Sequence, residues 1–440
     1  MKTMHRTVRK PGDPLKIEID TSPIRLNPLD TQDYTSKMIC SIMYESLQDG
    51  YNCRIIRKDP RTCQVDIHPD YLGDAEGVVQ TIIYHLTKEN QSPHLGSFLN
   101  IKQAVPYVKG LVSSDQLGVN VTGEKRFEVT LDEPSDEIEA VLQSSFLIPG
   151  TAGGDVPENG PYRFKRTFEK GLEFERNPQY KMTPADHRTV QTIQFILNDD
   201  LEKSIGLYEA NQTDVTCHTQ FHHSNMRYRQ YADFKENHLP MLFTFKVKDD
   251  MMRTFIQHYF DKQKLAGDLG HIITPTDSLI GIWESGRTPQ KDPPLLTKEE
   301  PIRIVYADYY PNGEIIERLA DLFRRAGADV SVSRVSHFND YYHMDKSGFD
   351  IELHLFLPAY MHELSYIKYF IRDISDPEKK KTIIDAIGSE KKKELFGLFE
   401  NTTHYCPICF GKSLYLQDPC IEGFSVKTDG LLSVHDVKCR

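Results

Sequence analysis

The sequence predicts a mixed α/β fold of two or more lobes, and three observations carry that reading. Its 440 residues, 39% of them hydrophobic, are enough to bury more than one core. From Ile302 the chain reads as a strand (Ile302 to Tyr306), a helix (Glu314 to Ala326) closed by Gly327, and a strand (Val330 to Val335). That order is a βαβ unit with parallel pairing. Upstream, Asn159-Gly160-Pro161-Tyr162-Arg163-Phe164-Lys165-Arg166 reads as a Gly-Pro turn and a strand, then a charged turn at Glu169-Lys170-Gly171. A second strand, Leu172 to Arg176, ends at Asn177-Pro178 and completes a hairpin.

The remaining elements follow from local pattern. Lys16 to Asp20 alternates apolar and polar residues as a strand does, and Leu26-Asn27-Pro28-Leu29 leads into an amphipathic helix carrying Met38, Ile39, Ile42, Met43 and Leu47. Beyond the hairpin, Val190 to Asn198 is a strand, Leu201 to Ala210 a helix and Thr213-Asp214-Val215 a short strand. Pro289 to Pro301 reads as a linker-like loop, and Lys379-Lys380-Lys381 and Lys391-Lys392-Lys393 as solvated helix faces.

Composition excludes some functions. A net charge of -11 argues against a surface made for nucleic acid. No apolar run approaches the roughly 18 to 20 residues that span a bilayer. Met1 to Lys16 is basic but has no apolar core and no lipobox-like Leu-x-x-Cys, so the expectation is a cytoplasmic chain, or an extracellular or periplasmic one if a leader has been removed. Eight scattered cysteines predict free thiols rather than a disulfide scaffold.

The hairpin, with its Asn-Gly-Pro-Tyr-Arg-Phe opening and Arg176-Asn177-Pro178-Gln179-Tyr180 close, resembles a signature of the family 5 solute-binding proteins. These are the oligopeptide, dipeptide and nickel receptors of ABC importers. Further similarities come in the family's order. They are the turn at Leu26-Asn27-Pro28, the helix end Tyr44-Glu45-Ser46-Leu47, a strand at Thr62 to Tyr71, a helix at Val78 to Leu86 and a strand at Lys125 to Pro134. Asn211 stands where the family usually has Gly. Met241 to Lys246 is similar to the first hinge strand, Met251 to Phe260 to the helix after it, Phe349 to Leu353 to a later strand, and Pro407 to Val437 to the return into the first lobe.

The resemblance implies a two-lobed, periplasmic-binding-protein-like (type II) α/β fold with an interlobe ligand cleft. Residues 1-14 would be a tail, 15-245 the first lobe with 406-440 returning to it, and 246-405 the second lobe. It implies a non-catalytic protein holding a peptide or other small organic solute by hinge closure, with no cofactor and an ABC permease as partner. The family's peptide receptors anchor the ligand's α-amino group on an Asp, but the matching stretch here is Phe356-Leu357-Pro358-Ala359-Tyr360, with Ala359 in its place. This departure argues against the standard peptide-binding mode, and the chain length and missing export signal are closer to the solute-binding half of SgrR-type transcription regulators. There the partner would be a DNA-binding module; with about fifteen residues ahead of the first strand, no direct contact with nucleic acid is expected. An enzyme built on the same scaffold is the third reading.

Elements that face the cleft in the family give the candidate ligand contacts Tyr34, Phe245, Tyr360, His362 and Tyr405. Cys217, His218, His222 and His223 form a cluster in which His218 and His222 would share a face if the segment were helical. The expectation is a free surface cluster, not a metal site. Cys406-Pro407-Ile408-Cys409 is expected to be a structural pair in the return strand. Gly411-Lys412-Ser413 fails as a phosphate loop, because the glycine needed five residues earlier is Cys406.

Overall fold

The computed structural model describes residues 12–31, 33–280, 295–296, 300–336, 338–374, 376–387 and 403–440. Most of the proline-rich stretch at 289–301 and all of Lys391-Lys392-Lys393 lie outside them.

Strand β1 (Leu15–Ile19) is followed by helix α1 (Tyr34–Met43). Asp33 starts the helix by accepting from the Ser36 N–H at 2.8 Å, and Tyr44 ends it in an extended conformation. Leu47, expected in this helix, therefore lies beyond it. Strands β2 (Cys53–Asp59) and β3 (Thr62–Ile67) and helix α2 (Ala75–Leu86), capped by Asp74, come next. With β4 (Val119–Gly123) and β5 (Arg126–Thr130) the two strands make a small antiparallel sheet, order β2-β3-β5-β4. Its core includes Val65, Phe127, Val129, Ile82, Leu86, Phe98 and Phe146. Helix α3 (Glu137–Leu142) closes this unit.

The signature hairpin is β6 (Tyr162–Phe168) and β7 (Gly171–Arg176), and it joins β8 (Thr192–Leu197) and β1 in the order β1-β8-β7-β6. Gly171 is required at the turn. It sits at φ +155°, and a Cβ there would be 1.8 Å from the Phe195 carbonyl oxygen. The stretch expected as a strand at Thr213 to Val215 makes only isolated bridges, from Val215 to Ile17 and Gln417. Asn211, at φ +56°, adopts the left-handed conformation that glycine would favour.

The third sheet has the order β10-β14-β9-β13-β11-β12. Its strands are β9 (Phe234–Val247), β10 (Ile273–Pro275), β11 (Ile302–Ala307), β12 (Val330–Val335), β13 (Ile351–Phe356) and β14 (Tyr405–Leu416). Helices α4 (Asp250–Tyr259), α5 (Asn312–Arg325) and α6 (Glu363–Phe370) belong to this half of the chain. The predicted βαβ unit is β11-α5-β12, parallel in register from Ile302 opposite Val330, with Gly327 at φ +84° closing the helix. The long antiparallel pair β9 and β14 runs from Lys246 opposite Tyr405 to Phe234 opposite Leu416, with breaks in register between Pro407 and Cys409 and between Phe410 and Lys412.

Candidate functional site

The residues after α1 are held by the signature hairpin. Gly160 donates its N–H to the Met43 carbonyl at 2.7 Å, an approach so close that a Cβ on Gly160 would sit 2.6 Å from the Met43 carbonyl carbon. Asn159, buried, accepts the Glu45 N–H on Oδ1 at 2.9 Å and donates Nδ2 to the Glu45 carbonyl at 2.9 Å. Asn177 fixes the turn in its own place, donating Nδ2 to the Gly160 carbonyl at 3.0 Å. From the end of the hairpin, the Tyr180 hydroxyl donates to Glu45 Oε1 at 2.7 Å and shares a 2.9 Å hydrogen bond with the Tyr51 hydroxyl.

Glu45 is 3% exposed, so its carboxylate is buried. His435 Nδ1 lies 3.2 Å from Oε1, without the alignment of a hydrogen bond, and Oε2 has no hydrogen-bond partner among the described residues. Both residues line a polar cavity together with Lys37, Lys427, Ser41 and Ser145. Its free volume of ≈ 20 Å³ has room for about one water. Burial pushes the Lys37 ammonium below its ordinary pKa, opposed by the nearby Asp33.

A second constellation joins distant parts of the chain. The segment between β13 and α6 carries Tyr360, whose ring enters the core of the small sheet and faces Phe146 edge-on at 6.4 Å. Its hydroxyl donates to Glu137 at the start of α3. Lys368 on α6 reaches the same carboxylate at 2.8 Å, and His362 Nε2 lies 3.3 Å from Asp136. Phe146 in turn stacks on His94 at 3.8 Å, and His94 is kept neutral by burial, which holds its pKa well below the usual value.

The five predicted contacts do not form one group. Tyr360 and His362 meet at this crossing, and His362 also caps α6, accepting the Leu364 N–H at 3.2 Å. Tyr34, at the start of α1, donates its hydroxyl to the Gly430 carbonyl at 3.1 Å. Phe245 is fully buried in β9, edge-on to Phe260 at 5.3 Å. Tyr405 is buried at the start of β14, packed on Phe370 at 4.6 Å, with its hydroxyl on Asp373. Glu45, Lys37, Glu137 and Lys368 escaped the sequence reading. Glu45 lay within a recognised stretch, Tyr44 to Leu47, whereas the pairing of Glu137 with Lys368 spans 231 positions and leaves no local signal.

The expected surface cluster is corrected: Cys217, His218 and His222 are buried, and only His223 is exposed. The segment is not helical where His218 and His222 lie. His222 is spent on Ser224 at 2.6 Å and Asn225 at 2.9 Å. Among the described residues no group of three or more His, Cys, Asp or Glu is placed to hold a metal. Cys406 and Cys409 are buried in β14, as expected of a structural pair, and burial pushes the Cys406 thiol up to about 12.

No protein-family model matches the chain, and no curated protein sequence matches it. Solved structures do. A periplasmic oligopeptide-binding protein (OppAIV) of Borrelia burgdorferi superposes with a TM-score of 0.79 at 14% identity, covering 97% of this chain and 99% of that one. The murein tripeptide binding protein MppA of Escherichia coli gives 0.76 at 15% identity, covering 98% and 99%. The unliganded open form of MppA gives a lower 0.67 at 14% identity, covering 98% of each chain. The chain therefore has the two-lobed periplasmic-binding-protein fold.

Proposed function

We propose that this chain is a non-catalytic solute-binding protein that closes two lobes on a peptide or another small organic solute. The observation that carries the reading is the crossing at Tyr360. One aromatic ring, one Lys–Glu pair and one His–Asp contact join segments more than 200 positions apart in sequence. Contacts to charged groups are worth about 1.5–3 kcal/mol each, small enough for a ligand to bias the open and closed populations. The fold supports the same reading, since neighbours that share it are named for binding oligopeptides and a murein tripeptide.

The lobe division, 15-245 with 406-440 against 246-405, is part of this proposal. Strands β9 and β14 are the two passages between lobes, and the register break between Phe410 and Lys412 gives them a place to bend. Ligand contacts at Tyr34, Phe245, Tyr360, His362 and Tyr405 remain proposed, with Tyr360 first among them. An ABC permease is the proposed partner. Kinship with SgrR-type regulators rests on sequence alone and would replace the permease with a DNA-binding regulator. Among the described residues no helix is long and apolar enough to cross a membrane.

Native mass spectrometry of protein purified without added ligand, repeated after denaturation, tests the function. A stoichiometric solute released on denaturation is expected. Protein that arrives empty and then retains no peptide or metabolite from a thermal-shift screen would sink the proposal.

A further inference from the structure

We infer that the turn at residues 92–98 is an acid-released seat for the second lobe: it holds Tyr360 and Lys368 while His85 and His94 are neutral, and lets both go when these rings take up protons. The inference rests on the proposed lobe division and adds to it a way of reopening the closed form.

The turn touches the second lobe directly. Lys368 donates to the Gly96 carbonyl at 3.3 Å as well as to Glu137 at 2.8 Å, and Ser97 lies against the Tyr360 hydroxyl. The Phe146 ring, stacked on His94 at 3.8 Å, meets the Tyr360 ring edge-on at 6.4 Å. A shift of His94 therefore disturbs what Tyr360 and Lys368 rest on.

Hydrogen bonding fixes the neutral form of His85. Its Nε2 lies 3.0 Å from the Phe146 carbonyl, which can only accept, so that nitrogen carries the hydrogen. Nδ1 then accepts from the Ser92 hydroxyl at 2.6 Å, and the Ser92 oxygen in turn accepts the His94 N–H at 3.1 Å. A proton on Nδ1 reverses the first of these bonds and leaves the buried hydroxyl hydrogen of Ser92 without its acceptor. His94 is placed worse. Its Nε2 is buried without a hydrogen-bond partner among the described residues, and a charge on that ring would lie against Phe146.

The surroundings do not compensate. From α1 the Lys37 ammonium opposes a charge on His94, as does His85, its ring centroid 5.5 Å away. From α2, Tyr84 faces His85 edge-on at 5.4 Å, and Asp30, bound to the Tyr84 hydroxyl at 3.1 Å, favours a charge on His85. Burial outweighs Asp30 and the Phe146 carbonyl and brings His85 down to about 4. Phe98 stacks on His85 at 5.4 Å and brings no charge, while Glu137 on α3 is taken by Tyr360 and Lys368. A proton on His362, 3.3 Å from Asp136, would strengthen the crossing, so opening in acid cannot come from that contact.

The way out is short. Pro93 and Gly96 are exposed and the turn belongs to no sheet, so a small outward movement hydrates the rings without breaking the strands beneath. With both rings held below the ordinary value of 6.5 in the closed form, closing is at full strength above about pH 6.5. It weakens by up to about tenfold per pH unit for each ring as pH falls toward 4.

The full chain, stripped of bound solute, is followed by small-angle X-ray scattering from about pH 8 to pH 4.5, with far-UV circular dichroism to show that it stays folded. Histidine ring protons are followed by NMR over the same range. The wild type is expected to expand below about pH 6.5, with the His85 and His94 rings titrating in the same step. His94→Phe, which keeps a ring against Phe146 but takes up no proton, should lower the midpoint by about half a pH unit or more. A radius that stays constant in folded wild type overturns the inference, as does unfolding before any expansion. Expansion with both rings still neutral, a readout that needs no variant, overturns it too, and so does an unchanged midpoint in a folded His94→Phe. Each of these failures leaves solute binding standing, because mass spectrometry at neutral pH tests that separately.

Discussion

The side-chain amide of Asn159 pairs with both backbone groups of Glu45, at 2.9 Å each, as a strand would pair with its neighbour. The most recognisable motif in the sequence thus acts as a clamp on a residue 114 positions away. Asn159→Ala leaves the Glu45 N–H buried without its acceptor, an expected loss of about 1–3 kcal/mol. Asn159→Asp should cost more, because a carboxylate faces the Glu45 carbonyl where an amide donor stood. Urea denaturation of the two variants checks the order; equal stability of wild type and Asn159→Asp would remove the clamp from the account.

Two glycines should respond in opposite directions to the same change. Gly171→Ala places a Cβ against the Phe195 carbonyl at a left-handed φ, and a loss of about 2–4 kcal/mol is expected. Gly206 lies inside the short helix Ser204–Glu209, and the place an alanine Cβ would take has no other atom within 4 Å, so Gly206→Ala should gain about 0.5–1 kcal/mol. A raised thermal unfolding midpoint in Gly171→Ala would contradict this hairpin geometry, and a lowered one in Gly206→Ala the open surface of that helix.

The proposed lobe crossing at Tyr360 predicts a change of shape. Tyr360→Ala removes a ring from the small-sheet core together with its hydrogen bond to Glu137, and Lys368→Met removes the cation paired with that carboxylate. The double variant should populate an open form, raising the radius of gyration in small-angle X-ray scattering of ligand-free protein. An unchanged radius would mean that these contacts do not hold the closed arrangement.

Much of this fold was legible because its signals are local. The βαβ unit β11-α5-β12 could be read from periodicity and Gly327, and the β6-β7 hairpin from its turn residues. Asn211 reads as a glycine substitute because asparagine tolerates a left-handed backbone. What could not be read depends on long-range packing. Thr213 to Val215 looks like a strand but finds only single bridges, and Cys217, His218 and His222 look polar but are buried. The site is less legible still: Glu45 gains its meaning from Asn159 and Tyr180, and Tyr360 from Glu137, none of them sequence neighbours.

Glu173 should set part of the acid sensitivity. Hydrogen bonds from Gln194, then Lys165 and Arg166, pull its carboxyl down from 4.5 to about 2. A folded-state pKa below the unfolded value stabilises the fold at every pH above the unfolded one, and the gain is lost as pH falls through the folded one. The advantage of wild type over Glu173→Gln in denaturant stability should therefore be constant above about pH 4.5 and vanish toward pH 2. An advantage that persists at pH 2 would assign it to packing instead of charge.

The cysteines separate a structural pair from a redox pair. Cys406 and Cys409 are 1% and 0% exposed in β14, and burial raises both thiols, Cys406 to about 12, so at pH 8 neither access nor thiolate is available. Cys420 and Cys439 are only partly buried. In native protein treated with a chromogenic disulfide reagent at pH 8, Cys420 and Cys439 should react first, and Cys406 and Cys409 only when denaturant unfolds β14. Peptide mapping of the labelled protein identifies each site. Fast native labelling at Cys406 or Cys409 would show an accessible, activated thiol, and the Cys-x-x-Cys spacing would then have to be read as reactive.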